Sequence, residues 1–287
     1  MFKTAFSTVA CPDWTLDQVC RSGAEWGYDG VELRTFGPGS YGFASDPALT
    51  SSEKVRRTLG QYGLEAAVLA TGVGFAEPIR PALIGRVISD TERSVRDAKL
   101  AIELSAGIEC PLVRVFGFEF PSRESRKSAV RRVAERLNLV ADAARNTGVK
   151  IVLENGGSFT TAEDIAEVLA EVPSNLVGAA YSIAVGAVAG DEPDEAVKLL
   201  GDRLWVYKLK DRDKDLQPCP IGQGGIPCRA AVGALAEAGF GGWVVVEWDR
   251  AWVPGLAEPD HVLPGAIRRV FEWAGHRASA RGLGAGV

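Results

Sequence analysis

Short apolar runs alternate along the chain with longer stretches in which apolar residues recur every three or four positions. The runs are Phe2–Val9, Gly30–Arg34, Leu64–Ala70, Leu112–Phe116, Lys150–Glu154, Leu176–Ser182, Leu204–Leu209 and Trp243–Trp248. Their length and content predict buried β-strands. The stretches between them predict helices near 15–26, 52–62, 83–106, 124–147, 162–170, 193–200, 227–238 and 263–275. Thr15 and Thr161 are placed to cap two of these, and Ser51 or Ser52 a third. In the fourth helix Val130, Val133, Leu137, Val140, Ala141 and Ala144 form one apolar face.

Eight strand-then-helix units within 287 residues predict a single (β/α)8 barrel over residues 1–276, with a Gly- and Ala-rich tail at 277–287 that is expected to fray. Nearly continuous apolar strands are what a parallel sheet covered on both faces requires. A doubly wound sheet is the alternative. It usually carries a Gly-x-Gly-x-x-Gly turn after its first strand, whereas this chain has Cys11-Pro12-Asp13-Trp14 there, and no Gly-Lys pair that a phosphate loop would need.

Composition narrows the function classes. At 46% hydrophobic and 24% charged the chain is ordinary globular protein. Its net charge of −5 argues against a duplex nucleic-acid binder and against a polybasic membrane anchor. The expected partner is a small molecule, and pairing with a second copy is left open. No apolar run nears the roughly 20 residues of a membrane span, and no secretory leader is expected in MFKTAFSTVACPDW. Five cysteines, none in a Cys-x-x-Cys pair, argue against a disulfide framework or structural zinc, so a reducing cytoplasm is expected. The two histidines, His261 and His276, both lie near the C-terminus.

In a barrel of this type chemistry is carried where strands end. The polar residues at those ends are Glu32, Arg34, Arg114, Glu154, Asn155, Ser182, Lys208, Lys210, Asp211, Glu247 and Asp249. Strand alternation puts Glu154 on the side of Val152, Glu247 on that of Val245, and Lys208 on that of Val206 and Lys210. If those sides face the axis, two carboxylates and at least one ammonium converge in an apolar mouth. A buried carboxylate is costly unless paired, so Glu154 and Glu247 are the first candidates for chemistry, with structural salt bridges as the plainer alternative. Glu32 and Arg114 are divided evenly between an ion pair inside the barrel and substrate binding.

Several segments carry a resemblance to a known family. They are Trp14-Thr15-Leu16-Asp17, Gly27-Tyr28-Asp29-Gly30-Val31-Glu32-Leu33, Val152-Leu153-Glu154-Asn155, Leu209-Lys210-Asp211-Arg212-Asp213, Ile221-Gly222-Gln223-Gly224-Gly225-Ile226, and the run from Ala238 through Glu247-Trp248-Asp249 to Leu263. In order and spacing they resemble the sugar phosphate isomerase/epimerase family, the xylose isomerase-like barrels related to endonuclease IV, over nearly the whole chain. The resemblance implies a divalent metal held by Glu, Asp, His and Glu at strand ends. Glu154 and Glu247 match the glutamates. Ser182 stands where the family has the aspartate, and Lys208 where it has the histidine.

A protonated amine offers no lone pair to a metal, and an ammonium between two acids offsets their repulsion. The expectation is therefore that no metal or other cofactor is used, with Lys208 in the metal's place. The alternative is a divalent ion such as Mn, Mg or Zn at Glu154 and Glu247. The resemblance implies proton transfer beside a carbonyl through an enediolate. Glu154 and Glu247 would be the acid/base pair and Lys208 the oxyanion partner, helped by Ser182 or Lys210. Trp14, Phe116, Phe118, Trp248 and Trp252 would wall a sugar-like ring. The runner-up readings are a lyase or dehydratase and a non-catalytic sugar-binding descendant. Schiff-base chemistry at Lys208 or Lys210 is opposed by the neighbouring acids, which favour the charged amine. Repair of abasic DNA is opposed by the acidic chain and the scarcity of metal ligands.

Overall fold

In the computed structural model, which describes residues 1–36, 42–43, 51–76 and 90–275, the eight apolar runs become eight parallel strands. They are β1 (Lys3–Ser7), β2 (Gly30–Phe36), β3 (Glu65–Gly74), β4 (Leu112–Phe118), β5 (Lys150–Gly157), β6 (Val177–Ser182), β7 (Leu204–Leu209) and β8 (Trp243–Val246). Each pairs with the next, and β8 pairs back with β1, so the sheet closes into a barrel without free edges. The helices are α1 (Leu16–Trp26), α2 (Ser52–Gln61), α3 (Asp90–Gly107), α4 (Arg126–Ala144), α5 (Ala162–Ala170), α6 (Ile183–Ala189), α7 (Pro193–Leu200), α8 (Cys228–Glu237) and α9 (Pro259–Trp273). The expected start of the third helix, at 83–89, and the expected tail at 277–287 lie outside the described residues.

Local chemistry sets the helix starts. Thr15 accepts from the Gln18 amide at 3.3 Å while the Gln18 side chain accepts from the Thr15 amide at 2.9 Å. Thr161 and Asp164 repeat this reciprocal cap on α5, each such cap being worth about 1 kcal/mol. Three elements differ from the pattern-based expectation. β1 stops at Ser7, and Thr8–Ala10 turn as a 3-10 helix. A short helix, α6, starts directly after Ser182, where the apolar Ile183-Ala184-Val185 reads equally as strand continuation. The last helix begins at Pro259 rather than Leu263, because proline is tolerated in the first turn, where no intrahelical N–H bond is lost.

The core has two parts. The larger packs the outer face of the barrel against the helices. The smaller fills the barrel itself, with Ala5, Val68, Leu112, Val152, Ala180, Val206 and Val245 as a buried apolar plug. This plug positions the site. Residues two further along four of these strands point to the same side, and they are Arg114, Glu154, Ser182 and Lys208. Glu247 follows Val245 in the same way, its amide donating to Leu209 O at 2.9 Å and so prolonging the ladder beyond β8.

Candidate active site

A layer of charge thus lies directly above the plug, at the end of the barrel where the strands finish. Lys208 is its centre. Its Nζ lies 3.2 Å from Glu32 Oε1 and 3.4 Å from Glu154 Oε2, and it contacts Glu247 Oε2. Lys210, one step further out, contacts Glu247 Oε1 and lies 2.8 Å from Asp249 Oδ1. Arg114 meets Glu154 at 3.2 Å, and Arg212 meets Asp249 at 3.6 Å. One strand, β7, thus supplies both lysines, and the ends of three strands, β2, β5 and β8, supply the four acids.

The protonation states follow from this geometry. Burial works against the charge on Lys208, but the fields of Glu154, Glu247 and Glu32 outweigh it and raise its pKa above that of an ordinary lysine. Lys210 is raised in the same way, against its burial, by Glu247 and Asp249. Both amines are charged at neutral pH, which opposes nucleophilic chemistry at either. Burial would raise Glu247, but Lys208 and Lys210 reverse this and hold its carboxyl well below the usual carboxylate range. Asp249 goes the other way, raised by burial with Glu247 adding to it against Lys210.

Of the candidates named from sequence, Glu32, Arg114, Glu154, Lys208, Lys210 and Glu247 come together in this network. Ser182 lies opposite Lys208 in register, and its backbone is held by Asn155, which accepts from the Ser182 amide at 2.6 Å and donates to its carbonyl at 3.1 Å. The aromatic residues are more scattered. Trp14 packs on Trp26 with ring centres 6.1 Å apart, and buried Trp248 donates its indole N–H to Ala257 O at 2.9 Å. Trp252 is half exposed, with the Arg34 guanidinium 5.5 Å from its ring centre. Phe116 stacks on Phe118 at 4.3 Å and under Arg114 at 4.2 Å.

Three strand-end residues have larger roles than their sequence context suggests. Asp249 and Arg34 each lie two positions beyond an inward acid, Glu247 and Glu32, and this parity is the signal that finds them. Asp211 has the opposite parity to Lys210. Its carboxylate accepts from the amides of Arg212, Gly222, Gly224 and Ile226 at 2.8–3.0 Å and so clamps the glycine-rich loop beside the mouth. At Gly224 a Cβ would lie 2.2 Å from Arg212 O and 2.4 Å from Asp211 Oδ1, so only glycine fits. A cavity of about 590 Å³, lined by Leu112, Lys150, Trp205 and Trp243 among others, opens at the far end of the barrel, below the plug and away from these charges.

A closed eight-stranded parallel barrel with its charged layer at the strand ends defines a class, and the comparisons agree. The model of the xylose isomerase-like TIM barrel family matches residues 20–272, and the chain belongs to that family. Among solved structures it is similar to an L-ribulose 3-epimerase (16% identity, 98% of this chain and 99% of that one, TM-score 0.77). It is similar also to an IolI protein with a binding zinc atom (19% identity, 95% and 98%, TM-score 0.76). A third is a D-psicose 3-epimerase solved in the presence of D-fructose (15% identity, 96% and 100%, TM-score 0.74). No curated protein matches the chain.

The zinc-bound IolI structure corrects the expectation that no cofactor belongs to such a site, because a barrel of this shape does hold a metal. The donors of this chain are another matter. Glu32, Glu154 and Glu247 all face the Lys208 ammonium, which has no lone pair to give. Among the described residues no group of three or more His, Cys, Asp or Glu side chains is arranged to hold an ion. With Lys208 charged and in place, these residues do not fit a metal.

Proposed function

We propose that the chain is an isomerase or epimerase acting on a sugar or a related polyhydroxy carbonyl compound by moving a proton beside the carbonyl. The observation that carries this reading is the Lys208 ammonium set among Glu32, Glu154 and Glu247 at the mouth of the barrel. The likeness in fold to two sugar 3-epimerases supports the substrate class.

Abstraction of a proton next to a carbonyl needs a base, a donor to return the proton, and a partner for the oxyanion. Glu247 starts ionised, because two ammonium groups flank it, and takes the proton. Glu154, across the mouth, takes a proton from solvent water and returns it to the same or the neighbouring carbon, while Glu247 gives its proton back to solvent, so both carboxyls end as they began. The cations that make Glu247 a weak base are the same ones that stabilise the enediolate oxygen. Their field lowers the cost of the intermediate by more than it weakens the base if the oxygen sits at Lys210 and Lys208. The fixed dipoles and charges of a dry mouth are effective there, since they need no reorganisation.

The test is solvent exchange. Purified protein incubated in D2O with a panel of ketoses and inososes is expected to place deuterium beside the carbonyl of at least one, with Glu154→Gln and Glu247→Gln losing the activity. Product of unchanged mass apart from deuterium marks an isomerase or epimerase. Loss of water would mark a lyase and overturn the reading. So would ligand-induced thermal stabilisation without exchange in any compound.

A further inference from the structure

Trp205 breaks the strand alternation. Along β6 and β7, Ala179 lies opposite Leu204 and Ala180 opposite Val206, so Trp205 is the extra residue of a bulge at the start of β7. A bulge re-aims the side chain that it carries. Here the indole packs beneath the apolar plug and stays half-buried. It fits there because residue 178 is glycine: a Cβ at Gly178 would lie 2.6 Å from the Trp205 ring. The indole N–H donates to Asp202 O at 3.0 Å, which fixes the ring. A bulge and a glycine thus hold one aromatic face at the cavity of about 590 Å³ below the plug, a volume in the range of small-molecule sites.

The chemistry of that cavity is selective. Trp205, Trp243 and Phe240 supply aromatic surface, and among the described residues that line it none has a hydroxyl or amide side chain. The charged residues there are Lys150, Lys198 and Asp202. Lys150 starts β5 with the inward parity of Val152 and Glu154, and its ammonium is 4.7 Å from the centre of the Trp205 ring. Lys3, placed in a similar way over Trp243, is held by Glu65 at 2.7 Å. The ion-paired lysines among the described residues are Lys3, Lys208 and Lys210, so Lys150 and Lys198 have no carboxylate partner there. Asp202 is exposed, and water screens its charge. The stretches outside the described residues leave from other places. Three follow β2 or β3 at the mouth, and the last follows α9, where a Cβ at Gly222 of the mouth loop would lie 2.9 Å from the Trp273 ring.

We propose that this cavity is a second ligand site, for a planar aromatic carboxylate whose ring lies on Trp205 and whose carboxylate meets the Lys150 ammonium. A flat ring covers the open indole face, and the carboxylate gives Lys150 the counter-charge that it lacks. One negative charge also offsets the surplus of two lysines over one aspartate. A neutral sugar does not suit the cavity, because its hydroxyls would face aromatic rings and lysine stems. The plug separates this site from Glu154 and Glu247, and the proposal does not depend on the reaction assigned to them.

The experiment titrates the whole protein calorimetrically with three ligands of one skeleton: naphthalene-2-carboxylate, its neutral carboxamide, and the saturated decalin-2-carboxylate. The aromatic acid is expected to bind about ten times more tightly than either of the others. Lys150→Gln, an exposed change checked by thermal melting, should bring the acid down to the level of the carboxamide and leave the carboxamide unchanged. By NMR the Trp205 indole N–H, assigned by its loss in Trp205→Phe, is expected to shift on binding, and those of Trp248 and Trp252 at the mouth are not. These shifts, read on the unaltered protein, decide the matter if Lys150→Gln does not fold. Equal binding of acid and carboxamide, an affinity unchanged in Lys150→Gln, or shifts confined to the mouth tryptophans would overturn the proposal. So would a dimer that parts in Lys150→Glu and takes up no acid, since this face would then join two copies. Deuterium exchange reads the mouth and not this cavity, so the two proposals fail separately.

Discussion

The Lys208 ammonium lies 3.2 Å from Oε1 of Glu32, and neither side chain is more than 2% exposed. Such a pair adds little over apolar packing, but removal of one member strands the other without compensation. Lys208→Met would leave Glu32, Glu154 and Glu247 facing one another above an apolar plug. The expected cost is about 3–5 kcal/mol, read as a lower urea midpoint at unchanged slope. A midpoint equal to that of the unaltered protein would show that the lysine is not the counter-charge of the layer.

The acid limb of stability follows from Glu247. Its folded pKa is depressed by Lys208 and Lys210 against the effect of burial. A depressed carboxylate stabilises the fold above its unfolded value, roughly 4.3, and that contribution is lost as pH falls through the folded value. Lys208 has the opposite sign: its raised pKa contributes fully at neutral pH and fades only in strong alkali. Glu247→Gln is therefore expected to be less stable than the unaltered protein at pH 7, with the gap narrowing below pH 4. Urea midpoints at the two pH values check this, and a gap that widens in acid would contradict it.

The loop clamped by Asp211 offers a local test. Asp211→Ala leaves the amides of Gly222, Gly224 and Ile226 without their carboxylate acceptor. Hydrogen exchange at those three amides is expected to accelerate by at least tenfold, with exchange in β1 and β5 unchanged. Gly224→Ala should produce the same pattern, since its Cβ would collide with Arg212 O and Asp211 Oδ1. Unchanged protection at Gly222 and Ile226 in Asp211→Ala would show that the turn holds itself.

The barrel was legible in the chain because parallel strands covered on both faces read as apolar runs, and eight of them alternate with amphipathic stretches. The charged layer was legible for the same reason. A Glu after Ile-Val-Leu or Val-Val-Val breaks an apolar run at the strand end, and parity with Val152, Val206 and Val245 gives its direction. Glu32 and Arg114 stayed ambiguous because only the closed barrel shows that Lys208 and Glu154 complete their pairing. The Arg34–Trp252 contact was not legible, since it joins residues more than two hundred positions apart through an irregular loop. Neither was the short helix after Ser182, whose apolar residues satisfy strand and helix patterns alike.

Lys210 separates electrostatic tuning from the rest of the site, because its side chain is 16% exposed and it lies beyond the buried Lys208 cluster. Lys210→Met removes one of the two ammonium groups that depress Glu247, so the Glu247 pKa must rise. In the proposed reaction Glu247 is active as the carboxylate, and the acid limb of the deuterium-exchange rate is expected to move to higher pH by about one unit. At pH values above that limb the rate should still fall, by about 10²-fold, because the enediolate oxygen loses a charged partner. The two effects have separate causes and are read separately, one as the position of the limb and the other as the plateau. A plateau that falls while the limb stays in place would mean that Glu247 is not the base, and the proton would have to be taken by Glu154 instead.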